Sequence, residues 1–405
     1  MSPFKKWIFV FSLLALFFFT TIPFFSSQVS FPIILPGKEL KSRFYDYAGI
    51  THVHSVLSTG SGDFSTLSRS AYKADCAFLI LTDLNPGLKP ANIEGYRDEV
   101  LMIWAGEYSF LGGHLLGYDL QHISHLKGLG QLQIFFNDLL EKKNRGVDES
   151  FLVAAHPFLP QHSWENLLLP GLTGMEILNL DSSWHQKFSQ NKLSVLWSFL
   201  ILPFNPDLAY LRLYSEPQKE LSTWDEILKK KMFIGFGGND STANAIPFPE
   251  KSFKFPNYIQ SFKLLKDHVL LKSELTGSYK EDRAKIMEAL RTGSFYFSVD
   301  LIGNPAGFYF IAQQRKQEFL SGKSLSLSSG SVIMLVDIGR EINLPHEIVL
   351  FRDGVKVATS NSRTLSYEAK EPGSYRAIVR VIPTLPIPDG KTWLTWIFSN
   401  PIRVE

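Results

Sequence analysis

FLVAAHP, residues Phe151–Pro157, is an uncharged apolar run that stops on a histidine. Its length and its lack of polar alternation are those of a strand buried on both faces, the kind found in an α/β architecture. The same punctuation recurs on either side of it. CAFLIL (76–81) closes on Thr82-Asp83, VLMIW (100–104) leads into Ala-Gly-Glu107, and HLLGYDL (114–120) follows a Gly-Gly. GMEILN (174–179) ends on Asn179, and MFIGF (232–236) runs into GGND, which carries Asp240. Helical spacing separates these strands at 67–74, 128–143 and 281–293, the last ending on Gly293 in a capping position. Buried strands alternating with amphipathic stretches predict an α/β domain over residues 45–300.

Length and composition set the frame. The chain has 405 residues, 45% of them hydrophobic, enough to bury a large core or two unequal ones. A net charge of +2, with acids and bases nearly balanced, gives no electrostatic reason to expect a nucleic-acid partner. Cys76 is the only cysteine, which excludes an intramolecular disulfide and any Cys-rich zinc module. A metal site in this chain must be built from imidazole and carboxylate.

Residues 1–30 read as a signal anchor or signal peptide. Lys5 and Lys6 precede an uncharged run from Trp7 to Phe25, long enough to cross a hydrocarbon core as a helix, with Pro23 trimming its outer end. The favoured reading is an uncleaved anchor with the main domains on the extracytoplasmic side. Cleavage and secretion is the alternative, although FFSSQVS is a poor cleavage site. A Pro-containing linker, 31–44, follows. Beyond residue 300 helical periodicity disappears and strand-like runs dominate, with Asp353-Gly354 marking a hairpin. Residues 301–405 are expected to form a small all-β sandwich, which indicates neither a chemistry nor a partner.

In a parallel α/β fold, residues just past the carboxyl ends of the strands meet on one rim, where active sites are built. THVHS sets His52 and His54 one residue apart, so both side chains project to one face of an extended chain. His114, His156, Glu107, Asp83 and Asp240 occupy comparable strand-end positions. Each alone has an ordinary structural role open to it, such as ending a strand or capping a turn. Together they make an imidazole and carboxylate set of the type that binds borderline and hard divalent cations.

The ordered series THVHS, LTD, GEYS followed by GGH, AAHP and GGND resembles the PHP (polymerase and histidinol phosphatase) superfamily of metal-dependent phosphoesterases, over roughly residues 45–300. ALRTGSFYFS, EPGSYR and SNPI are similar to a branch with a C-terminal β module. The resemblance implies a distorted (β/α)7 barrel and a metal centre of divalent ions. By the same resemblance His52 and His54 are the first metal pair, Glu107 bridges two ions, Asp240 completes the first shell, and His114 and His156 hold the second ion. The family pattern departs at one place. Leu84 stands where a histidine follows Thr-Asp, Thr242 stands where the last motif has a histidine, and the acid or histidine expected soon after the H-x-H pair has no aligned match in SVLSTGSG unless Asp63 takes that place through a longer loop. All three changes fall on a third metal position, so two ions are expected, with Zn, Mn and Fe all compatible.

The implied function is a metal-dependent phosphoesterase acting through a dinuclear site and a metal-bridging hydroxide, the ions about 3.5–4 Å apart. Its partner would be a phosphorylated small molecule or other phosphoester. Asp83 is the candidate proton donor to the leaving group, and Asn179 a candidate substrate contact on the same rim, with a turn role equally open to it. His185 is a weaker candidate. Two alternatives remain: a non-catalytic membrane-anchored binding protein on a degenerate scaffold of this type, or a metal hydrolase of a non-phosphate ester or amide.

Overall fold

The computed structural model describes residues 3–35, 42–110, 113–120, 129–144, 149–248, 251–254, 256–386 and 389–405. Residues 36–41 of the predicted linker, Gly112 and Gly128 lie outside them. The apolar runs form strands where the sequence expects them. Phe78–Leu81, Val100–Trp104 and Phe151–Ala155 are buried almost throughout, which is why none of them alternates. The helices at Phe64–Lys73, Leu129–Asn144 and Tyr279–Thr292 fall on the predicted amphipathic stretches, and Gly293 closes the last at φ 77°, a conformation that costs glycine little.

Two sheets position the site. In the first, Tyr45–Ile50 pairs parallel with Phe78–Leu81, which pairs parallel with Val100–Trp104. The second has five strands, in the order Gly106–Phe110, Gly113–Tyr118, Phe151–Ala155, Leu172–Asn179 and Ile234–Gly238. Its first three are antiparallel neighbours and its last three parallel. Between the sheets the rings of Tyr118, Phe151 and Phe236 stack, with centroids 4.6 to 6.3 Å apart. Each such ring contributes about 1.5–3 kcal/mol by burial.

The resemblance implies a distorted (β/α)7 barrel, whereas the described sheets are not closed. The reason is the fate of the edge. Lys266–Leu271 pairs antiparallel with Tyr45–Ile50, Phe295–Ser298 adds to it, and Leu394–Ser399 adds again. An edge taken by these strands has no backbone groups left for closure. The sheet reaches 12 strands, six of them from beyond residue 300. The other late strands make a separate four-stranded antiparallel sheet of Tyr309–Gln314, Gln317–Leu320, Val332–Asp337 and Thr364–Ala369. The late strands are therefore shared between two sheets, one of them continuous with the first half of the chain. The Asp353-Gly354 hairpin forms as expected, with both residues at positive φ, 50° and 82°.

Polar ties reinforce the joint. His268 sits buried between Asp46 (2.8 Å) and Asp300 (3.0 Å) and stacks on Tyr296. Arg376, on Gly373–Val381, grips Asp225 of helix Gln218–Leu228 with two bonds of 2.7 Å. At the other end of the chain, helix Pro3–Ser26 is long and apolar enough to be a signal or membrane anchor. It passes through Pro23 where a trimmed end was expected, and Ser27 N still bonds Pro23 O at 3.0 Å.

Candidate metal centre

The strand Tyr45–Ile50 stops before the first histidine, so Thr51–Ser55 is free to be shaped by its neighbours. Val53 N donates to Thr82 Oγ1 at 3.0 Å, Thr82 N returns a bond to Val53 O, and Asp240 N donates to His52 O at 3.0 Å. His54 N bonds Ser241 O, while Tyr118 Oη donates to Thr51 O at 3.0 Å. Thr51 Oγ1 donates to Asp267 Oδ2 at 2.6 Å; burial raises that carboxyl to about 7. The loop is thereby laced to the ends of four strands, and both imidazoles are buried.

His52, His54 and Glu107 form one group of potential ligands, and Glu107, His114 and His156 a second; within each group the donor atoms lie within 4.8 Å of one another. Glu107 belongs to both. Its Oε2 is 3.3 Å from His54 Nε2, and its Oε1 is 2.9 Å from His114 Nδ1 and 3.1 Å from His156 Nε2. Asp240 Oδ1 stands 3.2 Å from His54 Nε2 and 3.5 Å from His52 Nε2. All six predicted ligands are thus brought to one buried place. The groups could hold metal, and the donor chemistry fits a divalent cation: neutral imidazole and carboxylate, with no thiolate.

One ligand arrives by a route the sequence pattern does not imply. Glu107 lies just past the parallel strand Val100–Trp104, as the pattern expects, but His114 is near the start of Gly113–Tyr118, which is antiparallel to both its neighbours. His114 pairs with Ala155, so the beginning of its strand lies beside the end of Phe151–Ala155, where His156 follows. An antiparallel strand delivers its first residues to the rim on which its neighbour delivers its last.

Buried charges of opposite sign set the protonation of the centre. Burial pulls the His52 imidazole down, but Asp240, Glu176 and Glu107 outweigh it and hold His52 well above its ordinary value. His156 is raised to about 9 against burial, by Glu107 first and then Asp240. Glu107 and Asp240 are held low, since the surrounding imidazoles overcome the burial that opposes their ionisation.

Glu176 was not singled out from the sequence. It is 1% exposed, and it accepts from His52 Nδ1 (2.7 Å), His156 N (2.7 Å) and Asn179 Nδ2 (2.8 Å). The first of these bonds fixes the His52 tautomer, turning Nε2 toward the donor cluster, as an outer carboxylate does for a metal-bound histidine. The signal was present: a lone carboxylate inside the apolar run GMEILN. His162 was missed as well, and its ring centroid lies 4.1 Å from that of His114.

The remaining candidates fall into place as follows. Asp83 takes bonds from Ser55 N (2.8 Å), Ser55 Oγ (2.6 Å) and Ser58 Oγ (2.5 Å), and Ser58 Oγ lies 3.4 Å from His54 Nδ1. Asn179 caps helix Leu180–Gln190 through Oδ1, while its Nδ2 also reaches Asp240 Oδ2 at 3.3 Å. Asp63 caps Phe64–Lys73 by accepting from Thr66 N at 2.8 Å. The Thr242 carbonyl accepts from Tyr258 Oη, and Leu84 bridges to Glu107 through the backbone. His185 is largely exposed, 3.7 Å from Asp181, a half-buried acid raised to about 6 by burial and by Asp240. A cavity of about 230 Å³ opens beside the centre, lined by His156, Glu176, Asn179, Ser182, His185 and Lys219 among others.

No family model and no curated protein matches the chain. Among solved structures it is similar, at 14% identity and a TM-score of 0.38, to a two-domain protein from Bacteroides vulgatus containing a predicted PHP-like metal-dependent phosphoesterase, with 89% of this chain and 97% of that one covered. PsfC from Pseudomonas syringae gives 14% identity, a TM-score of 0.34, and coverage of 59% and 88%. The PmoD soluble domain from Methylocystis gives 17%, 0.18, and coverage of 24% and 90%. These likenesses are loose, and the chemistry of the site is read from its own donors.

Proposed function

We propose that the chain is a metal-dependent phosphoesterase whose chemistry lies within residues 45–300. The observation that carries this reading is the pair of donor groups sharing Glu107, with Asp240 against the first. His52, His54, Glu107 and Asp240 would hold one ion; His114, His156 and Glu107 would hold another. Zn, Mn or Fe would suit these ligands. When bound, such ions supply Lewis acidity and an activated water at neutral pH. The protein's part is to hold the ligands without reorganisation. Glu176 fixes His52, Ser58 and Asp83 brace His54, and Asn179 ties Asp240 to the start of the cavity helix.

Asp83 spends both oxygens on the 55–58 loop, which supports a positioning role ahead of the proton-donor role offered by the sequence. Asn179 lines the cavity, which supports a substrate contact for it, and Lys219 lines the same cavity. The chain would act on the extracytoplasmic side, held there by its N-terminal helix, with residues 301–405 as a β module. Elemental analysis of protein purified without chelator, followed by a panel of phosphomonoesters, phosphodiesters, carboxylic esters and amides, tests the reading. About two transition-metal equivalents and turnover of a phosphoester, abolished in Glu107→Gln, are expected. A metal-free protein that takes up neither Zn nor Mn refutes it.

A further inference from the structure

Residues 188–204, FSQNKLSVLWSFLILPF, break the usual rule for a surface helix. Helix Lys192–Ile201 turns Val195, Ser198 and Ile201 inward, yet its outward positions are also apolar. Leu193 is 78% exposed, Leu196 56% and Phe188 58%, with Leu200 and Phe204 exposed beside them. Single exposed leucines are ordinary, but five large apolar side chains on one helix and its flanks make a patch that needs a partner. The 17-residue stretch has one charge, Lys192, and no acid.

What covers the patch is indicated by its neighbour. Helix Pro3–Ser26, whose outward side chains are apolar along most of its length, packs against Lys192–Ile201. The contact is built into the fold. Ile22 lies in the same buried cluster as Ile201 and Leu208, and Asn205 Nδ2 donates to Ser26 O and Val29 O, both at 2.9 Å. A cleaved leader has no use for such ties. The patch therefore continues the surface of a helix suited to a bilayer, and its lone cation suits anionic headgroups.

We infer that residues 188–204 seat in the lipid interface beside the N-terminal helix, and that the cavity takes a phosphoester carried on a membrane lipid. The second half rests on the phosphoesterase reading; the first does not. Helix Leu180–Gln190 joins the two halves, giving His185, Gln186 and Ser189 to the cavity and Phe188 to the apolar patch, and running through Asn191 into Lys192–Ile201. A headgroup at the cavity thus leaves its acyl chains next to an apolar surface.

The test uses the full chain reconstituted in phosphatidylcholine and phosphatidylglycerol vesicles. A fluorophore is placed on Leu196→Cys, or on Val355→Cys in the late hairpin as a control; Cys76 is buried and stays unlabelled in the folded protein. The label at 196 is expected to be quenched by lipids spin-labelled near the headgroup and shielded from aqueous iodide, with the reverse at 355. Iodide quenching at 196 equal to that at 355, or shielding at 196 from both quenchers, as a second copy or a protein partner would give, overturns the seating. In parallel, Leu196→Asp/Leu200→Asp is expected to leave turnover of a soluble nitrophenyl phosphoester unchanged and to lower turnover of a vesicle-borne phospholipid ester at least tenfold. Equal effects on both substrates overturn the lipid-substrate half. Lipid quenching at 196 with no phosphoester turned over at all leaves the seating standing and removes the phosphoesterase reading together with the lipid-substrate half that rests on it.

Discussion

A single methyl group at residue 238 tests how the centre is held. A Cβ built on Gly238 would stand 1.7 Å from Glu176 Oε1 and 2.4 Å from its Cδ, so Gly238→Ala cannot coexist with Glu176 where it lies. Glu176 must move, and with it go some of its bonds to His52, the His156 backbone and Asn179. Bonds to a charged acceptor contribute roughly 1.5–3 kcal/mol each, and overpacking costs about 1–3 kcal/mol. Losing one bond and absorbing part of the clash gives a destabilisation of about 3–4 kcal/mol. Freeing the His52 ring should weaken metal binding about 10–100-fold, the usual effect of removing a group that orients a ligand. Denaturant titration reads the first quantity, and competition with a chromophoric chelator reads the second. The specific mechanism is tested by the background: Gly238→Ala introduced into Glu176→Ala should add little, because the colliding atoms are gone. A Gly238→Ala protein of unchanged stability and metal affinity, or an effect undiminished by Glu176→Ala, would falsify this account of how His52 is oriented.

Other expectations follow from the same geometry. Glu107→Gln should remove metal from both groups at once, whereas His114→Ala should leave the ion near His52 and His54, so metal counting should separate a loss of two from a loss of one. Because His156 titrates near 9 without metal, zinc uptake at pH 7.5 should release protons, visible as a calorimetric enthalpy that changes with the buffer's ionisation enthalpy; no buffer dependence would contradict it. Asp225→Asn should break the buried bidentate pair with Arg376 and cost about 3–5 kcal/mol in denaturant, and a loss under 1 kcal/mol would show the pair to be dispensable. His268, held near 10 by Asp300 and Asp46 against burial, stabilises the folded chain fully below the unfolded value of about 6.5 and loses that contribution as pH rises through about 10. Its share is of the order of a few kcal/mol, and His268→Gln should flatten the fall in stability over that window.

Strands and ligands were legible to different degrees for physical reasons. FLVAA and VLMIW could be read because a strand buried on both faces has no alternative to a continuous apolar run. Glu107, His156 and Asp240 could be found because each comes soon after an apolar strand, and His52 and His54 because their one-residue spacing turns both to one face. Topology was the harder part. Nothing local in KDHVLL tells whether it pairs parallel or antiparallel with Tyr45–Ile50, and that choice sends the sheet outward into the late strands instead of around a barrel. Glu176 was hidden for a related reason. A carboxylate in an apolar run reads as an outward-facing residue until pairing shows that both faces of its strand are covered, on one by the His52 ring.

The backbone indicates how tightly the centre is built. His156 and Asp240 both adopt positive φ, 27° and 47°, a region that disfavours side chains and costs of order 1–3 kcal/mol per residue. Each strained turn is tied by a bond from its own amide to another member of the centre: His156 N to Glu176, and Asp240 N to His52 O. The strain is thus opposed by the groups it brings together. Charge follows the same logic. Glu107 and Glu176 are buried and Asp240 is largely so within one cluster, where three uncompensated carboxylates would be prohibitive. The imidazoles of His52 and His156 answer by holding protons, which is why both are raised. A divalent cation supplies the same compensation and lets those protons leave. On this argument metal and protons compete for one pre-strained frame, so chelator-treated protein should keep its fold at pH 6 and lose stability as the pH is raised through about 9, whereas metal-loaded protein should not. Parallel denaturation curves for the two forms across that range would contradict the competition.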